Sequence, residues 1–543
     1  MNNAIVNFSI PRNEPVLDYL DGSPERKALV KELERQVSTV VDIPAIIDGR
    51  EVRTGETRDV VMPCDHGHVL ARFHAVGPAE VQQAVEAACR AREHWMNLSW
   101  LERAAVTLKA ARLISEKYRY TINAATMLGQ GKNIFQAEID SCCETVDFLR
   151  FNSYFISEIY NEQPLSTPEQ MNRMEYRPLE GFVFTVTPFN FTAIGSNLNM
   201  TPVLMGNTTV WKPATTAVLS NYYLMQVYRE AGLPDGVVNF LPGSGAVISG
   251  VTLGSKDLAG IHFTGSNSTF NGLWKTVSGN LERYRSYPKL IGETGGKDFI
   301  FIHHSADTDQ AATALIRGAF EYQGQKCSAC SRAYIPLSLW PEIKEKMLGM
   351  LSRIKVGDVR DFDCFVNAVI DEKAFDSIMG YISLAKKTPR AKIIAGGEGD
   401  KSTGYFIQPT IIETDDPHLT TMEEEIFGPV LTVYPYPDDR YEDTLKICDE
   451  TSPYALTGSI FARDRAALVT ACRILRYAAG NFYYNDKCSG AMVGLQPFGG
   501  SRASGTNDKA GGSHNLMRWI SPRTIKENYL PPADFPYPYM RAR

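Results

Sequence analysis

The sequence predicts an α/β fold built on a doubly wound parallel sheet. Two observations carry this. From Gly181 onward there are short, continuously apolar, β-branched runs, such as Phe182-Val183-Phe184-Thr185-Val186-Thr187, which suit strands buried on both faces. Longer stretches with helical spacing alternate with them, and that alternation implies crossover units and a parallel sheet. A chain of 543 residues also exceeds what one hydrophobic core supports, so two or three domains are expected.

Taken in order, residues 15–37 place apolar residues at helical spacing among many charges, a surface helix. Residues 45–52 read as a hairpin, because Asp48-Gly49 favours the tight turn that matches strand twist. Pro78 to about Ile159 is helical throughout, and the polar stretch 161–177, with Pro164 and Pro168, is an extension rather than core. The strand at 182–187 is followed by one at 208–212, a helix at Val218–Ala231, a strand over 236–241, a strand and turn over 258–266, and a helix from Thr269. Gly243-Ser244-Gly245 is no GxGxxG and reads as an ordinary loop. Ligands of such sheets bind at the carboxyl ends of the strands, which is where Asn190, Lys212 and Ser266 fall. Gly265-Ser266 ahead of a helix offers N–H groups and a hydroxyl to a pyrophosphate, and Lys212 offers an ammonium to ribose hydroxyls.

Composition excludes several classes. A net charge of −6 argues against general nucleic-acid binding. No run approaches the roughly 18 apolar residues of a membrane span. The N-terminal stretch, MNNAIVNFSIPRNEP, has neither a signal-peptide nor a transit-peptide plan. Ten scattered cysteines suit a reducing compartment. The expectation is a cytoplasmic protein, or a mitochondrial matrix protein if a leader has been removed.

Chemistry gathers at Glu321-Tyr322-Gln323-Gly324-Gln325-Lys326-Cys327-Ser328-Ala329-Cys330. A lone cysteine is usually a small buried hydrophobe, and Cys327-x-x-Cys330 lacks the second CxxC or paired histidines of a zinc site, so no metal is expected. In favour of a nucleophile, Lys326 beside Cys327 would support the thiolate. Upstream, Glu293 in Leu290–Lys297 is flanked by small residues, so it reads as exposed and mobile, as suits a general base. With Asn190 the three form a base, a thiol and an amide donor.

TPFNFT (187–192), WKP (211–213), FTGS (263–266), GETGGK (292–297), GQKC (324–327), EEIFGPVL (424–431) and PFGGSRASG (497–505), in this order and spacing, resemble the aldehyde dehydrogenase superfamily over nearly the whole chain. FEYQGQKCSACSR (320–332), NFYYNDKCSGAMVG (481–494) and SGTNDKAGG (504–512) are most similar to the branch acting on L-glutamate γ-semialdehyde. The resemblance implies Cys327 as nucleophile, Asn190 with the Cys327 N–H as oxyanion donors, and Glu293 as the base that activates water against a thioester. It implies NAD held by Thr187, Lys212, the turn Gly265, Ser266, Asn267, Ser268 and Thr269, and by Glu425 with Phe427. The substrate α-carboxylate would meet the N–H groups of Gly490 and Ala491 and the Ser328 hydroxyl, with Phe191 and Phe498 walling the aliphatic chain. The reaction implied is the second step of proline degradation.

Two positions depart from the family pattern. Asn271 stands near a second glycine that many members carry. Thr215 stands where NAD-selective members often carry Glu, which implies NAD with NADP as a weaker substitute. By the same resemblance, residues 1–160 and 180–291 form a Rossmann-type cofactor domain and 292–503 an α/β catalytic domain. Residues 161–179 and 504–543 form a β-flap and tail for oligomerisation, with Trp519-Ile520 and Thr524-Ile525 as alternating strand residues. The partners implied are a second copy in a homodimer or larger homo-oligomer, and metabolic hand-over from a proline dehydrogenase. Succinate or aminoadipate semialdehyde, a CoA-acylating relative, and a non-catalytic protein on the same scaffold are the competing readings.

Overall fold

A computed structural model describes residues 8–540. The first seven residues of the N-terminal stretch and the last three of the tail lie outside the described residues. The first helix is shorter than the periodicity predicts: α1 spans Pro24–Val37, with Ser23 accepting the Arg26 N–H as its N-cap. Residues 15–20 are irregular because side chains take their backbone groups. Glu138 accepts the Leu17 N–H at 3.1 Å, and Arg119 donates to the Pro15 carbonyl at 2.7 Å.

The hairpin stands where expected, β1 Ala45–Ile47 against β2 Arg50–Val52. Asp48 at φ 52° and Gly49 at φ 73° supply the two left-handed residues of its turn. The helical stretch comprises α2 Pro78–Asn97, α3 Trp100–Leu113, α4 Arg119–Gln130 and α5 Thr145–Asn161. A wide π turn, Glu138–Glu144, leads into α5. The polar extension becomes β3 Gln170–Pro178.

Next come β4 Phe182–Val186, α6 Thr192–Leu204, β5 Thr208–Lys212, α7 Val218–Ala231, β6 Val238–Phe240, α8 Gly245–Thr252, β7 Leu258–Thr264, α9 Asn267–Gly279 and β8 Lys289–Glu293. α9 starts two residues before the sequence-based expectation because the Ser266 side chain caps it, accepting the Thr269 N–H. The strands form one sheet in the order β8-β7-β4-β5-β6-β1-β2. The chain winds outward from β4 through β5 and β6, then returns to the other side of β4 with β7 and β8, all in parallel. That reversal puts a crevice at the carboxyl ends of β4 and β7, the place where doubly wound sheets take ligands.

A second sheet holds β9 Asp298–Ile302, β10 Cys330–Pro336, β11 Ala391–Ala395, β12 Thr410–Thr414, β13 Val430–Tyr436, β14 Thr457–Phe461 and β15 Asn481–Tyr484, in the order β11-β12-β13-β10-β9-β14-β15. α10, Thr308–Phe320, runs from β9 back toward Cys327. Only four residues, Thr294–Lys297, join the two sheets. Finally β16, Ile520–Asn528, pairs antiparallel with β3 along its length as a two-stranded ribbon. Trp519 is no strand residue. It is fully buried, its ring 4.6 Å from that of His262, and it anchors the ribbon to the first sheet.

Candidate active site

Between α10 and Cys327 the chain reverses through three left-handed residues, Tyr322 at φ 51°, Gln323 at φ 55° and Gly324 at φ 67°. Two of these carry side chains, a strain of about 1–2 kcal/mol each that surrounding contacts must offset. Tyr322 donates its hydroxyl to the Gln130 carbonyl at 3.0 Å, and Gln323 donates to the Gly131 and Ala368 carbonyls, each at 2.8 Å. Gly324 has no alternative, since a Cβ there would lie 2.2 Å from the Gly428 carbonyl oxygen. The loop is thereby clamped between α4 and the strand-end segments, and Cys327 stands partly exposed at its tip.

Lys326 does not act as the sequence suggests. Its ammonium is buried and paired with Glu321 at 2.9 Å, an acid shared with Lys487 at 2.9 Å. The Cys327 thiol is pushed well above its usual range, first by burial and then by the charges of Asp298, Glu293 and Glu425. Cys330 makes no pair with it; its Sγ donates to the Arg332 carbonyl at 3.6 Å within β10.

Asn190 lies beside this loop. It is buried and donates one amide N–H to the Gln325 carbonyl at 3.1 Å, two residues before Cys327. Its own segment is fixed from behind. The Thr192 and Ala193 N–H groups, at the start of α6, donate to the Asp140 carboxylate at 3.0 and 2.9 Å. Lys132 pairs with the same carboxylate at 2.7 Å, both side chains fully buried, and its ammonium lies 3.9 Å from the Phe191 ring centre. A carboxylate at a helix N-terminus is favoured by the unpaired N–H groups there.

Glu293, the last residue of β8, is half-buried rather than exposed. Its Oε2 accepts the Gly500 N–H at 3.2 Å, and a Cβ on Gly499 would meet Oε1 at 3.0 Å. Burial holds this carboxyl well above the usual carboxylate range, with Lys509 pulling the other way. Glu425 is not part of a solvated acidic run. It is half-buried against the Thr294–Lys297 joint, where Oε1 accepts the Gly296 N–H at 2.9 Å. Burial pushes its carboxyl up to about 7. Phe427, at φ 57°, meets Phe189 edge-on at 5.8 Å.

The crevice between β4 and β7 receives the remaining cofactor candidates. The Lys212 ammonium, half-buried at the end of β5, has no hydrogen-bond or ion-pair partner among the described residues; burial lowers its pKa. Thr187 already accepts the Trp211 indole N–H at 3.0 Å. Gly265 admits no side chain, since a Cβ would lie 2.8 Å from the Phe263 ring. Two candidates differ from their expected use. The Ser266 hydroxyl is occupied as the α9 cap, and the Asn267 amide donates to the Ala503 carbonyl at 2.8 Å. Ser268 and Thr269 complete the first turn, whose N–H groups have no partner inside a helix. Asn271, in the place of the missing second glycine, bonds back to Asn267 at 2.9 Å.

On the other side of Cys327, the buried Ser328 accepts the Cys488 thiol at its carbonyl, 3.4 Å away, which ties the nucleophile loop to the loop carrying Gly490 and Ala491. Gly490 is exposed at φ 95°, and Phe498 is locked to Ala510 by two backbone hydrogen bonds of 2.8 Å. Sequence reasoning missed Glu144. This half-buried carboxyl has no hydrogen-bond partner among the described residues. Burial and the neighbouring Asp140 push it up to about 8 against the pull of Lys132. The acids at 138, 140, 144 and 147 carry no motif that singles them out in sequence. Only the fold shows that they are turned inward.

The chain belongs to the aldehyde dehydrogenase family, whose model matches residues 51–525. More narrowly, it is 53% identical over 540 residues to the mitochondrial delta-1-pyrroline-5-carboxylate dehydrogenase of Dictyostelium discoideum, covering 99% of this chain and 97% of that one. The human enzyme of the same description is 49% identical over 530 residues, covering 97% and 94%. Among solved structures, the Mycobacterium tuberculosis delta-pyrroline-5-carboxylate dehydrogenase bound with NAD matches over 100% of both chains at 49% identity, with a TM-score of 0.96.

Proposed function

We propose that this protein oxidises L-glutamate γ-semialdehyde, the open form of 1-pyrroline-5-carboxylate, to L-glutamate with NAD. The observation that carries the reading is the amide of Asn190 held on the Cys327 loop while Glu293 faces the same space from the end of β8. The relatives above, alike over essentially their full length, support the substrate.

The residues fit NAD. A half-buried ammonium without a protein partner, Lys212, lies at the carboxyl edge of the first sheet. Beside it lie a glycine that tolerates no side chain and a helix N-terminus. Thr187, Lys212 and the turn from Gly265 to Thr269 hold the cofactor, with Glu425 and Phe427 at its reactive end. When bound, NAD supplies the acceptor for the hydride that leaves the aldehyde carbon. The chain's own residues act on either side of that transfer. Cys327 loses its proton and adds to the aldehyde carbon, giving a thiohemiacetal whose oxyanion is held by the free Asn190 N–H and the Cys327 backbone N–H. Such a donor is typically worth about 3 kcal/mol in the transition state. After oxidation a thioester remains, and Glu293 takes a proton from the water that hydrolyses it.

The substrate carries two charges that must not be left unpaired. Gly490, Ala491 and Ser328 take the carboxylate, Glu144 takes the ammonium, and Phe191 and Phe498 enclose the methylenes. Thr215 places no carboxylate near the ribose to repel a 2′-phosphate, so NADP is accepted as a weaker substitute while NAD is preferred. No helix among the described residues is long and apolar enough to cross a membrane. The β3–β16 ribbon, paired within the chain and exposed along most of its length, is the surface on which a second copy adds in a homodimer or larger assembly. Because the substrate arises from proline, a proline dehydrogenase stands immediately upstream. The word mitochondrial in the names of both relatives supports the organellar alternative over a cytoplasmic location.

NADH formation by the purified protein tests this, with pyrroline-5-carboxylate beside succinate semialdehyde and propanal. A preference for the first, abolished in Cys327→Ala, is expected. Preference for another aldehyde overturns the substrate, and activity surviving in Cys327→Ala overturns the mechanism.

A further inference from the structure

A buried carboxyl lies directly behind the Cys327 peptide. Asp298, the first residue of β9, is 2% exposed, and its two oxygens have different company. Oδ1 accepts the Thr457 N–H, at the start of β14, at 2.7 Å. Oδ2 is buried and has no hydrogen-bond partner among the described residues. A Cβ built on Gly296 would lie 2.3 Å from this Oδ2 and 2.2 Å from the Cys327 carbonyl oxygen. Both oxygens therefore border the one space that a Gly296 side chain would fill, at most about 4.5 Å apart. An ionised carboxylate has only lone pairs to present to a carbonyl, and a buried charge without a partner is expelled or neutralised.

The surrounding cations do not supply the missing donor, and the nearby Thr457 hydroxyl makes no hydrogen bond with it. Arg332, on β10, commits Nε to the Lys297 carbonyl and Nη1 to the Tyr334 hydroxyl and the Cys448 carbonyl. Lys297 is buried too, yet its Nζ makes no ion pair with Asp298 and no hydrogen bond among the described residues. Glu425 from the segment before β13, Tyr483 on β15, and the thiols of Cys327, Cys330 and Cys488 complete the charged and titratable surroundings. None of these adds a positive charge.

We propose that Asp298 is held as the neutral acid and donates its O–H to the Cys327 carbonyl oxygen, a positioning residue for the nucleophile. The proposal rests on the reading of Cys327 given above. The donated hydrogen bond fixes the plane of the Cys327 peptide group, and hence of the loop that presents its thiol. Neutrality removes one of three negative charges that would otherwise oppose the thiolate. Burial holding the Asp298 carboxyl well above its usual range agrees with this.

The test compares Asp298→Asn, which keeps a donor without charge, with Asp298→Leu, which keeps neither donor nor acceptor. Two quantities are read: kcat/KM, and the pH midpoint of iodoacetamide alkylation followed by mass spectrometry on the Cys327 peptide. In Asp298→Asn the midpoint should stay where it is in the parent and kcat/KM within about threefold, while Asp298→Leu loses about tenfold or more. A midpoint lower by about one pH unit or more in Asp298→Asn would show that the parent carries a negative charge there, overturning the proposal. So would an Asn variant as impaired as the Leu variant. If the Leu variant does not fold, the alkylation midpoint of the Asn variant decides alone. Aldehyde oxidation surviving in Cys327→Ala would instead sink the nucleophile reading, whatever the Asp298 variants do.

Discussion

The Glu425 carboxylate accepts the Gly296 backbone N–H at 2.9 Å, and so reaches from the segment before β13 into the four-residue joint between the two sheets. In the cofactor site proposed above, Glu425 would meet the reactive end of NAD. Glu425→Gln keeps an acceptor for Gly296 but loses the charge. A hydrogen bond to a charged group is worth about 1.5–3 kcal/mol. The expected result is a KM for NAD raised about tenfold or more with the fold intact, read by initial rates beside thermal unfolding. An unchanged KM would remove Glu425 from the cofactor site.

Glu293 gives a pH dependence with a definite sign. Its carboxyl is held well above the usual carboxylate range by burial, so at low pH it is protonated and cannot accept a proton from water. Thioester hydrolysis should therefore climb with pH through that raised value and level off above it. Glu293→Gln should lose this limb and slow hydrolysis by about 10²–10⁴-fold, leaving a burst of NADH followed by a slow steady state in stopped-flow traces. A steady state as fast as the parent's would assign the base elsewhere.

How far the sequence carries this site depends on whether a residue's role is local. The strand ends were legible because buried parallel strands are short apolar runs, and Thr187, Lys212 and Gly265 follow directly from them. The hairpin turn was legible because Asp48-Gly49 meets a backbone requirement two residues wide. Burial was not. Glu293 among glycines looked exposed, but Gly499 and Gly500, some two hundred positions later, close over it. Lys326 looked like a neighbour able to stabilise a thiolate, yet it is buried against Glu321, an acid it shares with Lys487. Residues 15–23 had helical spacing, but Glu138 of the π turn takes the Leu17 N–H and Arg119 takes the Pro15 carbonyl. In each case a tertiary contact overrides the pattern of the immediate neighbours.

Lys132 and Asp140 form a pair with no exposed surface on either side chain, and Asp140 also holds the first N–H groups of α6. Removing one member of such a pair leaves a buried charge, at a cost of about 3–5 kcal/mol. Lys132→Met should lower unfolding free energy by about that amount in urea titrations, and Lys132→Met with Asp140→Leu should recover part of it. Because the pair also braces Asn190 and Phe191, kcat should fall in both variants. A stable and fully active Lys132→Met would show that the pair does not brace the site.

Glu144 offers the last prediction. It is a half-buried carboxyl without a hydrogen-bond partner among the described residues, one helical turn beyond Asp140, pushed up to about 8 by burial and its acidic neighbour. In the free enzyme at neutral pH it is mostly protonated. An incoming ammonium group stabilises its charged form and draws its pKa down, so binding releases a proton. Affinity for an ammonium-bearing semialdehyde should therefore strengthen as pH rises toward 8, because less work is then needed to ionise the acid. The opposite slope would follow if Glu144 bound substrate as the neutral acid. Glu144→Gln should flatten the dependence and raise KM for glutamate semialdehyde about tenfold or more, the loss of one charge-assisted hydrogen bond. It should leave succinate semialdehyde, which has no ammonium, within about twofold of the parent. Calorimetric titration with glutamate in buffers of different ionisation enthalpy measures the proton release directly. Equal heats in all buffers, or equal losses for both semialdehydes, would place the ammonium site away from Glu144.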